Sequence, residues 1–315
     1  MKILITGASG NLGGLVARHL MKSHHFLHLI VHKTPLPDEI YRYNNRKIFP
    51  ADLNDPSTLV EPCRDVDVVL HFAGVLFKPR PEKFLPRTNI EYFKNLAGAA
   101  MKSNVRKIVL ISFPHVEGEK TPADPARGVL TGNPKTVHSR TRLEEERMLY
   151  RITENSPVTP VILRIGMVYG KGILMIEAGR WLARHRLLAV WRRPTWIHLI
   201  SIPDFLLAVE AAITREAARG IYHIGDKTVI TLQEFMDKVA DFWGYKRPRR
   251  MPVWMIYAAA VCCELFSWIF RTRAPLTREF IRMGMTSYYG DTARMHDELI
   301  SDLAYPTLDD GIGTL

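Results

Sequence analysis

Thr6-Gly7-Ala8-Ser9-Gly10-Asn11-Leu12-Gly13 follows directly on the apolar run Ile3-Leu4-Ile5 and opens a helical pattern that runs to Lys22. A strand, a glycine turn and a helix in immediate succession suit the pyrophosphate of a dinucleotide. Glycines let the backbone turn tightly and approach the phosphates, and the free N–H groups at the helix start stabilise their charge. The spacing is G-x-x-G-x-x-G, with a threonine before the first glycine. A glycine pattern alone would equally suit a structural strand–helix turn; here both flanking elements are right for a bound dinucleotide. Gly7, Ser9, Gly10, Asn11, Leu12 and Gly13 are the first candidate contacts.

Outward from that turn, short β-branched runs alternate with helical patterns. Strands are expected at Lys2–Thr6, Leu27–Val31, Lys47–Phe49, Val66–His71, Lys107–Ser112 and Val161–Arg164. Helices are expected near Leu12–Lys22, Pro56–Cys63, Asn89–Ser103 and Ser139–Tyr150. Alternation of this kind predicts an α/β protein, a Rossmann-type doubly wound parallel sheet covered on both faces. After Tyr169 the pattern loosens into loops and small helices. Ile221–Ile224 reads as a returning strand, and Leu232–Trp243 as a helix with Thr231 at its N-cap and Glu234 three residues on. The expected organisation is a dinucleotide-binding domain over 1–168 and a smaller, interleaved C-terminal substrate lobe over 169–315, with about 197–225 returning to the core. No internal repeat or low-complexity tract interrupts it.

The chain has 315 residues, with 43 Lys and Arg against 32 Asp and Glu, a net charge of +11. That field favours anionic ligands and membrane surfaces without bearing on the fold. Three cysteines, Cys63 and the adjacent Cys262 and Cys263, make no disulfide framework and suit a reducing compartment. Met1-Lys2 runs straight into the first strand, so the expectation is a cytoplasmic chain without a secretory leader. Val253 to Phe270 is apolar apart from Glu264 and Ser267, with Lys246, Arg247, Arg249 and Arg250 before it and Arg271 and Arg273 after. A buried or substrate-capping helix is the first expectation there; an interfacial helix making peripheral membrane contact through its basic flanks is the second.

The end of the second strand selects the cofactor. Enzymes that use NAD commonly place a carboxylate there for the ribose hydroxyls. Here Val31 is followed by His32-Lys33-Thr34, with no carboxylate until Asp38. NADP(H) is therefore expected over NAD(H), held at its 2′-phosphate by His32 and Lys33. A solvated basic loop is the plainer reading of the same residues.

These residues resemble the extended and atypical short-chain dehydrogenase/reductase superfamily, epimerase/dehydratase-like, and the resemblance runs over nearly the whole chain. Ala51-Asp52-Leu53 resembles the Asp-Leu pair at adenine, and His71-Phe72-Ala73-Gly74 the strand end lining the cofactor. Asn89 opens the expected central helix, and Leu163 to Gly170 resembles the LRPxxVYG segment beside nicotinamide. The resemblance implies cofactor contacts at Asp52, Leu53, Ala73, Gly74, Asn89, Arg142, Ile165 and Val168. The tail looks most like the dihydroflavonol-reductase-like and 3β-hydroxysteroid-dehydrogenase-like branch. Members commonly form homodimers, which makes a homodimer the expected assembly.

The superfamily's reaction uses a Tyr, a Lys four residues later and a Ser. The phenol moves the proton, the ammonium lowers its pKa and holds the ribose, and the Ser orients the substrate oxygen. In the matching segment His138 stands at the Tyr position and Arg142 at the Lys position, while Phe113 replaces the Ser. Arg142 keeps a charge for the ribose, though its planar fork differs from an ammonium. His138 has a pKa suited to proton transfer but a shorter reach. Ser112 lies one residue early. Two functions of different class follow. One is an oxidoreductase that reduces a hydrophobic carbonyl through His138, with Ser112 or His115 in support and Phe113, His115 and Met167 lining the substrate pocket. The other is a catalytically inactive NADP(H)-binding sensor or structural subunit. Nucleotide-sugar epimerisation is a third; there the family's Arg that grips the diphosphate is replaced by Ile197, although Arg192 and Arg193 are near in sequence.

Other clusters receive plainer readings. Arg180 and Arg184 are expected on a solvated helix face with Trp181 buried behind them, so nucleic acid is not the expected partner. The twelve histidines show no metal-ligand spacing, so no metal is expected. Glu144, Glu145 and Glu146 are expected on the helix surface facing Arg140, Arg142 and Arg147. Met283 and Met285 suit either an adaptable pocket or core.

Overall fold

A computed structural model describes residues 1–75, 80–270 and 276–315. The first half runs β1 (Lys2–Thr6), α1 (Asn11–Met21), β2 (Phe26–Val31), β3 (Arg46–Pro50), α2 (Val60–Cys63), β4 (Val68–His71), α3 (Tyr92–Lys102), β5 (Lys107–Ser112), α4 (Val137–Thr153) and β6 (Thr159–Ile165). Then follow β7 (Met167–Tyr169), α5 (Leu174–Arg184), β8 (Ala189–Trp191), β9 (Trp196–Ile197), β10 (Leu199–Ser201), α6 (Ile202–Thr214) and β11 (Gly220–Ile224). The tail comprises β12 (Ile230–Thr231), α7 (Leu232–Phe242), β13 (Arg249–Met251), α8 (Val253–Phe270), α9 (Arg278–Gly284), α10 (Ala293–Glu298) and α11 (Leu308–Gly311).

Seven parallel strands form one sheet in the order β11-β6-β5-β4-β1-β2-β3. Successive strand side chains point to opposite faces, and the sequence uses both. Ile3 and Ile5 pack with Val16 and Leu20 of α1 and with Phe205 and Val209 of α6. Leu4 and Val69 pack on the other face with Phe93 and Leu96 of α3 and Leu149 of α4. This is the doubly wound α/β fold that the alternating pattern predicts. Truncating Ile5 or Leu4 to alanine removes about 2–5 kcal/mol, because the cavity cannot collapse between a sheet and a helix.

The strand order reverses at β1, where β4 lies on one side and β2 on the other. Ligands of open α/β sheets bind outside the carboxyl ends of the strands at such a switch point. The glycine turn sits there. The second half contributes strand pairs too short for periodicity to reveal. β7 pairs with β10, β9 with β12, and β8 with β13. β11 returns to the main sheet against β6. The capping box at α7 forms: Thr231 Oγ1 accepts from the Glu234 amide, and the Glu234 carboxylate accepts from the Thr231 amide.

Two expectations about burial fail. α8 is not a buried helix: only Ala260 and Ser267 are buried, while Trp254, Phe266 and Trp268 stand out in solvent. The reason is contact on one side only, against α9 and β8. Its sequence neighbours Arg271 and Arg273 lie outside the described residues. Trp181 is likewise exposed, stacked on His185 at 4.3 Å between ring centroids. Arg180 turns instead over the ring of Trp243, 5.7 Å from its centroid.

Candidate functional site

Gly7 has a φ of +76°, and a Cβ there would lie 2.8 Å from the Ala73 amide nitrogen. A Cβ on Gly13 would lie 2.3 Å from the Gly7 carbonyl oxygen. Those positions therefore demand glycine sterically, and Gly10 closes the turn by donating to the Gly7 carbonyl at 2.8 Å. Gly10 is the N-cap of α1 and offers no capping side chain. The first amides of α1 thus keep their donors for a ligand anion.

The other loop residues do structural work around that cradle. Ser9 Oγ donates to the Thr34 carbonyl at 2.8 Å, fastening the glycine turn to the loop after β2. Asn11 uses both ends of its amide: Nδ2 donates to the Gly172 carbonyl, and Oδ1 accepts from the Leu174 amide. It ties the phosphate loop to the start of α5. Leu12 is half-buried against the core.

His32 and Lys33 are both exposed where β2 ends. The fold adds a neighbour that the local sequence did not show. Asp52, at the end of β3, places Oδ2 3.5 Å from His32 Nε2. Its Oδ1 accepts from the Asn54 amide. Leu53 beside it is half-buried, and its carbonyl accepts from Asn95 of α3 at 2.9 Å.

Beneath the glycine turn runs a buried chain of polar groups. Thr6 Oγ1 lies 2.8 Å from His71 Nδ1 and also accepts from the Ala73 amide at 3.3 Å. That contact ties the ring beneath the turn and leaves Nε2 on its far side. That nitrogen faces Glu145 Oε1 at 3.2 Å. The other oxygen of Glu145 accepts from Arg142 Nη1 at 2.6 Å. Arg142 ends beside Gly74, where a Cβ would lie 3.1 Å from Nη2. The sequence brings Arg142, Ala73, Gly74 and the glycine turn to one place by way of Glu145 and His71.

Glu146 builds a second buried network. It receives Ser112 Oγ at 2.5 Å, and Arg164 through Nε at 3.2 Å and Nη2 at 2.6 Å. Arg164 also binds Glu117, which accepts from the amides of Arg127, Gly128 and Val129 and lies 3.3 Å from His223. Burial opposes the charge on Glu117, but the His223 hydrogen bond and the Arg164 guanidinium outweigh it and hold the carboxyl at about 2. The hydroxyl of Ser112 is thus committed to Glu146, on a side chain that solvent hardly reaches. It is an anchor, and its place among the catalytic candidates is not supported. The three glutamates are not a surface cluster either. Glu145 and Glu146 are wholly buried, and only Glu144 pairs outside, with Arg147.

The positions matching the superfamily's proton relay lie on and around α4. His138 is buried, and neither ring nitrogen makes a hydrogen bond of normal geometry among the described residues. Burial lowers its pKa, opposed by Glu279 and the Val75 backbone and aided by Arg142, so the ring is neutral at neutral pH. Thr141, between His138 and Arg142, accepts from Asn89 Nδ2 at 3.0 Å. Asn89 is buried, with Oδ1 unpartnered among the described residues. Phe113 is half-buried and meets His115 edge-on at 5.6 Å. His115 packs on Tyr288 at 4.1 Å, and burial pushes its pKa down to about 4. Ile165 and Val168 are buried, and Met167 is half-buried at the start of β7. Among the described residues no three His, Cys, Asp or Glu side chains group to hold a metal.

Sequence reasoning placed His71 on the strand end lining the cofactor but missed Thr141 and Glu145 as parts of the site. The signal was present: Glu145 stands four residues from both Thr141 and Leu149, on the inward stripe of α4.

Comparison with known proteins agrees with this architecture. The model of a family described as NAD dependent epimerase/dehydratase matches residues 3–195. The UDP-glucose 4-epimerase of Vibrio cholerae is 26% identical over 178 residues, 54% of this chain and 53% of that protein. A UDP-N-acetyl-alpha-D-glucosaminuronate decarboxylase of Bacillus cytotoxicus is 30% identical over 128 residues, 38% of this chain and 39% of that protein. The chain thus spans about half or less of the length of these curated relatives. Among solved structures, the UDP-glucuronic acid 4-epimerase of Bacillus cereus, in complex with UDP-glucuronic acid and NAD, shares the fold. The TM-score is 0.77 at 19% identity, covering 100% of this chain and 97% of that one.

Proposed function

The chain belongs to the NAD dependent epimerase/dehydratase family, and from that premise we propose that it holds a nicotinamide dinucleotide without the hydroxyl-based proton relay of its superfamily. Support for binding comes from the cradle itself. Gly7 and Gly13 permit a tight backbone turn that any side chain would break, the amides of α1 face it uncapped, and Arg142 ends beside Gly74. When bound, such a group supplies hydride chemistry. The residues that would hold it are the glycine turn for the pyrophosphate, Asp52 and Leu53 for the adenosine, and Arg142 and Asn89 on the nicotinamide side.

We place NADP(H) ahead of NAD(H) for this chain. No carboxylate ends β2, Lys33 is exposed, and His32 is positioned by Asp52. We read the chain as an NADP(H)-binding sensor or structural subunit.

One observation carries the absence of the usual relay. Phe113 has no hydroxyl, and the adjacent hydroxyl, that of Ser112, is spent on Glu146 at 2.5 Å. His138 offers a buried, neutral ring in place of a phenol. A second reading rests on that same ring. Neither nitrogen makes a hydrogen bond of normal geometry among the described residues, so His138, once protonated, would serve as proton donor to a hydrophobic carbonyl lying against Phe113 and Met167. Nucleotide-sugar chemistry, printed in the names of the relatives, fits less well. Ile197 is buried in β9, paired with Ile230, where a diphosphate-gripping arginine would be needed.

The test is oxidation of NADPH and NADH over a panel of ketones and aldehydes, with the wild type and His138→Ala. The binding-module reading expects no turnover above the protein-free rate. Turnover that His138→Ala abolishes would establish the second reading in its place.

A further inference from the structure

α8 has two unlike sides. Val253, Ile256, Tyr257 and Ala260, spaced three and four residues apart, pack against Val190, Trp191 and Ile281. Glu264, the one charged residue of the helix, lies on the docked side and accepts from the Arg278 amide at 2.8 Å and from Arg278 Nε at 2.9 Å. The opposite arc carries no charged side chain. Trp254, Val261, Leu265, Phe266, Trp268 and Ile269 stand exposed along it. At 1.5 Å per residue the arc from Trp254 to Ile269 is about 24 Å long. Single exposed apolar residues are ordinary, but a continuous apolar face of this length marks a surface that is covered in use.

We infer that α8 is a membrane-docking helix, lying in the interfacial plane of a bilayer that carries anionic lipids. The helix is long and apolar enough to cross a membrane, yet it is fastened along its length to α9 and β8 and by Glu264 to Arg278. A helix held on one side by its own protein presents only the other side to lipid, which is the interfacial arrangement. Trp254 and Trp268 stand near its two ends, and such amphipathic rings favour the headgroup level.

Charge specifies the occupant. Across residues 246–270 and 276–282 there are six basic and two acidic side chains. Both acids are satisfied internally, Glu264 by Arg278 and Glu279 by the Val137 amide and Arg282. Lys246 and Arg249, just before α8, are exposed and have no carboxylate partner among the described residues. Arg247 and Arg250 are paired with Asp241 and Asp237, so Lys246 and Arg249 are the uncompensated charge at the start of the apolar strip, and such a pair matches anionic headgroups above acyl chains. A second copy of this chain would bring the same uncompensated Lys246 and Arg249 to the contact and no complementary charge.

The experiment is flotation of the purified full chain with vesicles of phosphatidylcholine alone and of phosphatidylcholine with phosphatidylglycerol, the latter also made with brominated acyl chains. The chain is expected to float with the anionic vesicles, and the brominated lipid to quench tryptophan fluorescence. Phe266→Glu with Ile269→Glu alters only exposed positions; this pair should abolish flotation while circular dichroism and the unfolding temperature stay unchanged. Lys246→Gln with Arg249→Gln should weaken anionic-vesicle binding roughly 10–30-fold. Failure of the wild type to bind either vesicle would overturn the inference, as would vesicle binding that survives the double glutamate substitution. A dimer in sedimentation velocity that the same substitutions disperse, without vesicle binding, would overturn it in favour of self-association.

Discussion

His71 and Glu145 face each other in the interior, with Nε2 of one 3.2 Å from Oε1 of the other and both side chains wholly shielded from solvent. The pair joins the strand carrying the glycine turn, through Thr6, to the helix carrying Arg142. Arg142 is thereby held beside Gly74 by its own protein before any ligand arrives. Pre-organisation of this kind lowers the ordering cost of binding.

Glu145→Gln removes the charge between His71 and Arg142 and leaves the half-buried Arg142 guanidinium without its counter-ion. Stability should fall by about 3–5 kcal/mol in denaturant unfolding, with dinucleotide affinity falling alongside. Glu144→Gln, one residue away and paired with Arg147 at the surface, should change stability by no more than about 0.5 kcal/mol. Equal effects at the two positions would refute the buried relay.

Gly13→Ala places a Cβ 2.3 Å from the Gly7 carbonyl oxygen, on backbone that cannot swing aside. The turn must open. Calorimetric titration should show dinucleotide affinity down by more than about tenfold, matching the loss of one or more phosphate-facing hydrogen bonds at about 1.5–3 kcal/mol each. An alanine variant that binds as the wild type does would show that this turn is not the phosphate site.

Ser112→Ala tests the anchor assignment. Losing its hydrogen bond to the Glu146 carboxylate should cost about 1–3 kcal/mol of stability and leave dinucleotide affinity and any turnover per folded molecule unchanged. A selective loss of turnover in a fully folded variant would return Ser112 to the chemistry.

Asp226 gives a pH signature. Burial pushes its carboxyl up to about 7 from an ordinary 3.8. The folded chain therefore holds this proton at pH values where the unfolded chain has released it, so stability falls as pH rises from about 4 to 7. Asp226→Asn keeps an oxygen for the Thr228 amide and never ionises. It should be more stable than the wild type above pH 7, by up to about 4 kcal/mol, with the gap closing near pH 4. Thermal melts across that range decide it; a gap independent of pH would contradict the buried carboxylate.

Much of the fold was legible because the glycine turn, β1 and α1 state one message at three levels: apolar strand, permissive turn, amphipathic helix. β7, β10 and β12 were not, since two or three residues hold no period and such strands exist only once their partners are placed. The polar interior was hidden for a related reason. Glu144, Glu145 and Glu146 look alike beside four arginines, and only the inward stripe of α4 separates the exposed one from the two buried ones. His32 and Asp52 are twenty residues apart, and the parallel pairing of β2 with β3, which sets Val31 beside Pro50, brings them together. α8 shows the converse: its composition suggested burial, while the number of elements available to cover it is a property of the assembled fold.

The most direct test of the central claim is calorimetric titration of the wild-type chain with NADPH and with NADH, at one salt concentration and neutral pH. The account predicts saturable binding of one dinucleotide per chain, tighter for NADPH. Binding of neither, or tighter binding of NADH, would contradict it.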